Sequence, residues 1–143
     1  MSKPRILLAD DHPSVLANLC RLADRVGEVV GAVSDGRKAV SESRRLNPDV
    51  VVLDLTMPGA GGIEAAQILS QEMPDIKVII CTVHTGRAQV ANAFAVGVVG
   101  FVRKQSAYED LASAIRAVLA GERFVSPGLR GDGSFIQEPK AGG

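Results

Sequence analysis

Aromatic residues are scarce in this chain. They fill 3% of its 143 positions, and tryptophan is absent. Its core must therefore be aliphatic, built from Val, Ile, Leu and Ala. Cysteine is almost missing. Cys20 and Cys81 stand alone, both in apolar surroundings, so they read as small buried hydrophobes and not as a disulfide framework or a metal site. Neither sign of charge prevails, since sixteen basic residues balance sixteen acidic ones. That balance lends no support to a nucleic-acid or membrane surface. No apolar run approaches the ~20 residues that span a bilayer. Met1 to Arg5 lacks the charged-then-apolar layout of a signal peptide. These absences lead to an expectation of a cytoplasmic protein without a membrane partner.

What remains is a chain long enough for one domain with its own core. It is 46% hydrophobic and 22% charged, as ordinary globular proteins are. Five short apolar runs recur: Ile6-Leu7-Leu8-Ala9, Val29-Val30-Gly31-Ala32, Val50-Val51-Val52-Leu53, Val78-Ile79-Ile80-Cys81 and Phe101-Val102. They are continuous instead of alternating, the pattern of strands covered on both faces. Helical spacing fills the intervals. Leu111, Ala114, Ile115, Val118 and Leu119 form a clean amphipathic stripe, and Val15, Leu19, Leu22 and Val26 form another. The stripe of Ala39, Val40, Ser43 and Leu46 is weaker, that of Ile63, Ala66, Ser70 and Met73, with Ile68 and Leu69 beside them, is mixed, and Val90, Ala93, Phe94 and Gly97 complete the set. Pro13 suits the start of a helix and Gly27 its end, while Asn47-Pro48 and Met73-Pro74-Asp75 break the chain before strands. Gly97 and Gly121 sit where helices should stop.

Strand and helix thus alternate five times. This predicts an α/β fold, a doubly wound five-stranded parallel sheet with helices on both faces. The order 2-1-3-4-5, a flavodoxin-like arrangement, is favoured. Residues 1–121 form the expected domain. Residues 122–143, rich in Gly and Pro and without a sustained period, read as a linker or tail.

Ligands of such sheets bind beyond the carboxyl ends of the strands, where strand order reverses. Asp10 and Asp11 follow the first strand, Asp54 ends the third, Thr82 the fourth and Lys104 the fifth. The inferred topology brings all five to one edge. Clustered carboxylates repel one another unless a cation is present, and a hard divalent ion with oxygen ligands resolves this. A lysine supplies a positive partner for a phosphoryl oxygen and a threonine a hydroxyl donor. The set suits transfer of a phosphoryl group onto a carboxylate, with Asp54 as nucleophile.

The runs Leu8-Ala9-Asp10-Asp11-His12 and Val52-Leu53-Asp54-Leu55-Thr56-Met57-Pro58, then Gly62, Thr82 and Gly100-Phe101-Val102-Arg103-Lys104, resemble the receiver domain of bacterial two-component response regulators. The resemblance covers residues 4 to about 121. It implies that Asp54 accepts a phosphoryl group from a histidine kinase or phosphotransfer protein. It implies Mg²⁺ held by Asp10, Asp11, Asp54 and the backbone carbonyl of Thr56. Thr82 and Lys104 would contact the phosphoryl group, and Phe101 would turn inward on activation. The surface around the fourth helix, fifth strand and fifth helix would change, and a homodimer would read it. Glu122-Arg123-Phe124-Val125-Ser126-Pro127 is similar to the segment leaving the last helix of NarL/FixJ-type regulators, which normally continue into a LuxR-type helix-turn-helix. DNA would be met only through such an output domain, which this chain does not contain. Transcription would be the controlled output.

The sequence departs from the family pattern at Gln105, where many receivers have proline, and at Val83, where a small residue is commoner. Thr56, Val83 and His84 are the side chains placed to set the lifetime of a phosphorylated state. Arg103 and Lys104 are adjacent, so only one can face the site. Gly59-Ala60-Gly61-Gly62 reads as a flexible loop, because it lacks the spacing of a phosphate cradle. His12 and His84 read as incidental and not as metal ligands.

The protein is thus expected to be a regulator and not an enzyme, with only slow self-phosphorylation and self-dephosphorylation. A stand-alone regulator acting through protein–protein contact is the alternative. A hydrolase with an aspartyl-phosphate intermediate is disfavoured, because Thr56 stands where a second acid would be needed. An interaction module that no longer takes phosphate would lack one of the five site residues, and none is missing.

Overall fold

The computed structural model describes residues 3–129. The five apolar runs become β1 (Arg5–Ala9), β2 (Glu28–Val33), β3 (Val50–Leu53), β4 (Lys77–Thr82) and β5 (Gly100–Arg103). Between them run α1 (Pro13–Ala23), α2 (Gly36–Leu46), α3 (Gly62–Glu72) and α4 (Arg87–Ala95), and α5 (Ala107–Leu119) follows β5 after a 3₁₀ turn at Lys104–Ser106. All strand pairings are parallel. The order is β2-β1-β3-β4-β5-β6, so the expected five-strand order is present with one strand added. That strand, β6 (Phe124–Val125), pairs with β5 at Gly100 and Phe101. It lies in the stretch read as linker or tail. The first residues of that stretch therefore pack on the sheet edge, and residues 130–143 lie outside the described residues.

The pleat divides the apolar residues between two layers. Ile6 and Leu8, Val50 and Val52, Ile79 and Cys81, and Val102 join α1 and α5 in one cluster. Leu7, Ala9, Val51, Leu53, Val78, Ile80 and Phe101 join α2, α3 and α4 in the other. A continuous apolar run is required because each strand feeds both layers in turn. Among the described strands β2, at the sheet edge, is the most open, with Glu28 and Ala32 exposed.

Local signals set the helix ends. Pro13 opens α1, but the helix stops at Ala23 and the chain reaches Gly27 through a turn. Asp35 caps α2 by accepting from the Lys38 N–H at 2.8 Å, and Asn47 ends it in the left-handed conformation with φ 49°. Cys81 is buried as expected, whereas Cys20 on α1 is only half-buried. No cis peptide bond occurs among the described residues.

Candidate functional site

The sheet reverses its order between β1 and β3, and the chemistry collects at that edge. The Asp54 N–H extends the β1–β3 ladder by donating to the Ala9 carbonyl at 3.1 Å. That bond sets Asp54 beside Asp10, and both side chains are buried at the strand ends. The start of α3 comes close behind them. A Cβ on Gly62 would lie 2.1 Å from the Asp54 carbonyl oxygen, so only glycine permits this approach. The Gly62 N–H donates to the Leu55 carbonyl at 2.9 Å, so this glycine serves the backbone.

Lys104 crosses from β5 to both buried carboxylates. Its Nζ donates to Asp54 Oδ2 at 2.8 Å and lies 2.5 Å from Asp10 Oδ2. Burial alone would lower the Lys104 pKa. Hydrogen bonds to Asp10 and Asp54 outweigh that, and the ammonium is held above its usual range. Of the adjacent basic pair, Lys104 enters the site. Arg103 lies instead against Gly128, whose built Cβ would meet the guanidinium at 2.7 Å.

Thr82 is fully buried at the end of β4, and its Oγ1 accepts from the His84 N–H at 3.1 Å. The β4–β5 register pairs Ile80 with Phe101 and Thr82 with Arg103. Side chains alternate along each strand, so Thr82 and Phe101 share the face that carries α4. Phe101 is fully buried in that layer. Beneath the site, on the other face, burial pushes the Cys81 thiol up to about 12.

Asp11, His12, Val15, Asp54, Thr56, Val83, His84 and Lys104 line a cavity of about 330 Å³. The structure therefore brings Asp10, Asp11, Asp54, Thr82 and Lys104 to one edge, with Thr56, Val83 and His84 on the cavity wall. The Lys104 ammonium pairs with Asp10 and Asp54, and Asp11 adds a third carboxylate, which leaves excess negative charge. Asp11 Oδ1 is buried and makes no hydrogen bond. Oxygen donors with a charge deficit and an unspent acceptor fit a divalent cation. One carboxylate oxygen from each Asp, together with a ring nitrogen of His12, lies within 4.8 Å of the others. The sequence reading took His12 as incidental and not as a metal ligand.

Fold and site together define a doubly wound α/β domain with an acidic, lysine-bearing pocket at its topological switch point. The chain belongs to the response regulator receiver domain family, whose profile matches residues 6–116. It is 39% identical over 125 residues to the response regulator GacA of Pseudomonas aeruginosa, covering 86% of this chain and 58% of that protein. It therefore spans little more than half of that relative. The crystal structure of a LuxR-family two-component response regulator from Aurantimonas sp. SI85-9A1 superposes with a TM-score of 0.86 at 41% identity, covering 91% of this chain and 94% of that one. The isolated receiver domain of RcsB from Salmonella enterica, solved with the phosphomimetic BeF₃⁻, gives 0.82 at 26% identity, covering 90% and 96%. No described helix is long and apolar enough to cross a membrane.

Proposed function

We propose that this domain is a phosphorylation switch in which Asp54 accepts a phosphoryl group from a phosphohistidine of a kinase or phosphotransfer protein. The observation that carries this reading is Lys104 Nζ within 2.8 Å of Asp54 and 2.5 Å of Asp10 at the switch point. An Asp54 carboxylate oxygen attacks phosphorus, the phosphorus–nitrogen bond breaks, and its electron pair returns to the donor imidazole. Asp10, Asp11, Asp54 and the Thr56 carbonyl would hold Mg²⁺, which supplies charge neutralisation for the transferring group. Lys104 would exchange its carboxylate contact for a phosphoryl oxygen. The Thr82 hydroxyl would donate to another.

The modification adds about −1.5 to −2 charge at the end of β3. Thr82 moving toward it vacates space on the face it shares with Phe101, and the surface of α4, β5 and α5 changes. We read that surface as a dimer contact that controls an output, transcription where a DNA-binding domain follows. The RcsB receiver, solved with a phosphomimetic, supports a phosphate-responsive domain by likeness. Slow self-phosphorylation and self-dephosphorylation belong to the same reading, as does a cytoplasmic setting with 1–121 as the receiver proper.

With Mg²⁺ and a small phosphodonor, one phosphate should be added, stable in acid and labile in base. Asp54→Asn should abolish it, as read by intact mass. Equal labelling of the variant would sink the assignment.

A further inference from the structure

Residues 122–129 touch α4, β5 and α5 at once. On α4, the Arg123 guanidinium lies 5.4 Å from the centre of the Phe94 ring. On β5, the Phe124 N–H donates to the Val99 carbonyl and the Ser126 N–H to the Phe101 carbonyl, each at 3.0 Å. On α5, Asp110 Oδ2 accepts from Ser126 Oγ at 2.8 Å. The turn Pro127–Leu129 follows and buries Leu129 in the layer of Phe101. Yet β6 itself is only Phe124–Val125, and its side chains divide between layers, Phe124 toward α5 and Val125 toward α4. An edge element this short has few bonds to lose, so it belongs to the parts of a structure that open most readily.

Two routes connect this segment to the site. The first is the core. Register sets Phe101 between Ile80 of β4 and Val125 of β6, all on the α4 face. A Phe101 ring that turns toward the space Thr82 vacates turns away from Val125 and Leu129. Those two side chains then lose the aromatic surface they cover. The second route is the backbone of β5. The Arg103 N–H donates to Ser126 Oγ at 3.0 Å, and the Arg103 guanidinium packs against Gly128. Arg103 directly precedes Lys104, so a lysine drawn to a phosphoryl oxygen pulls on the residue that holds Ser126.

We propose that residues 122–129 are a strap, closed over the edge of β5 in the unphosphorylated domain and released when Asp54 is phosphorylated. This rests on the reading of Asp54 as phosphoacceptor and of Phe101 as the residue that follows Thr82. Release uncovers the edge of β5 between α4 and α5, so the exit from the domain reports the state of the site.

Amide hydrogen exchange on the full chain tests this, with and without Mg²⁺ and BeF₃⁻ as the phosphoryl mimic. The Phe124 and Ser126 amides should exchange about tenfold faster or more with the mimic bound. The Lys77 amide, which donates to the Asp49 carbonyl at the far end of the sheet, should not speed up. Coupling is reciprocal, so a strap loosened beforehand should favour the mimic. Leu129→Ala should speed exchange at both strap amides without BeF₃⁻ and tighten BeF₃⁻ binding about fivefold. Val125→Ala gives a second variant with the same expectation. A Leu129 that only fills space would loosen the strap and leave BeF₃⁻ affinity where it was, which overturns the proposal. So does a bound mimic that leaves the Phe124 and Ser126 amides as protected as before. Wild-type protein that takes neither phosphate nor BeF₃⁻ would refute the phosphoacceptor reading itself, and the strap with it.

Discussion

Helices α4 and α5 flank the same strand, β5, on opposite faces, yet they are anchored differently. Helix α5 buries Leu111, Ala114, Ile115 and Val118 in the cluster that holds Val102. Helix α4 buries only Val90 and Ala93, beside Phe101. Glu109 and Asp110 sit in the first turn of α5, where acids favour the positive end of the helix dipole. Arg87 opens α4 with the opposite sign, and neither helix has a side-chain cap at its N-terminus. The better-held helix can keep β5 in place while the other yields, since moving elements come from the low-stability end of a structure. Thr82 and Phe101 both lie on the α4 side, where a change at the site would meet the least resistance.

The largest test of this difference is a matched pair of truncations. Ile115→Ala in α5 should cost about 3 kcal/mol, within the usual range for a buried large-to-small change. Val90→Ala in α4 should cost roughly 1–2 kcal/mol, because fewer methyl groups leave a less crowded layer. Urea unfolding midpoints measure both. Equal costs would mean that α4 is anchored as firmly as α5.

The same contrast governs what the sequence made legible. The α5 stripe and the five continuous apolar runs were readable because burial on one helix face or both strand faces leaves a period. The α4 stripe was also read, but of its four positions the structure buries only Val90 and Ala93 within the helix. Strand β6 could not be read at all. Phe124 and Val125 are two residues in a Gly- and Pro-rich stretch, and the free edge of β5 makes them a strand. Within the site, Asp10, Asp11, Asp54, Thr82 and Lys104 followed from topology, because each sits at a strand end. The choice between Arg103 and Lys104 did not, since it depends on the pleat and the 3₁₀ turn. The placement of the His12 ring beside Asp10 and Asp11 was not legible either, because it depends on the His12 N–H turning back to Asp10 Oδ1.

Next in size is the bond that ties β6 to α5. Ser126 is fully buried; its Oγ donates to Asp110 Oδ2 at 2.8 Å and accepts from the Arg103 N–H at 3.0 Å. Ser126→Ala leaves a buried carboxylate and an amide without these partners, at a cost of about 2 kcal/mol. Combined with Asp110→Ala the losses should fall short of additive, because the two act on one bond. Strict additivity would show that α5 gains nothing from β6 and would weaken the contrast with α4.

Alkaline pH probes the lysine between the two flanks. The Lys104 pKa is raised above 10.5, so the folded state binds this proton more tightly than the unfolded one. Its contribution is complete below pH 10.5 and disappears as pH rises through the folded value. Lys104→Met should lower stability at neutral pH, since Asp10 and Asp54 then face each other unpaired. It should also lose this alkaline dependence. A wild-type and variant pair that decline in parallel above pH 10.5 would place the proton elsewhere.

The smallest effect concerns rate and not stability, and it sits in the loop that leads into α4. Val83 follows Thr82, is 59% exposed, and lines the cavity beside Asp54. Hydrolysis of a phosphorylated Asp54 needs a water in line with the phosphorus–oxygen bond. Thr56, Val83 and His84 are the wall residues that can crowd or orient it, and none offers a carboxylate or amide to position it. We expect a phosphorylated state that persists for many minutes. A branched, exposed side chain contributes little to the core, so Val83→Ala should leave unfolding unchanged within about 0.5 kcal/mol. It should speed both phosphorylation by small donors and loss of the phosphate a few-fold, because the same opening serves the donor and the water. Intact mass over time gives both rates. If Val83→Ala alters neither, the loop before α4 moves without guarding the site, and the loosely held flank would serve the switch alone.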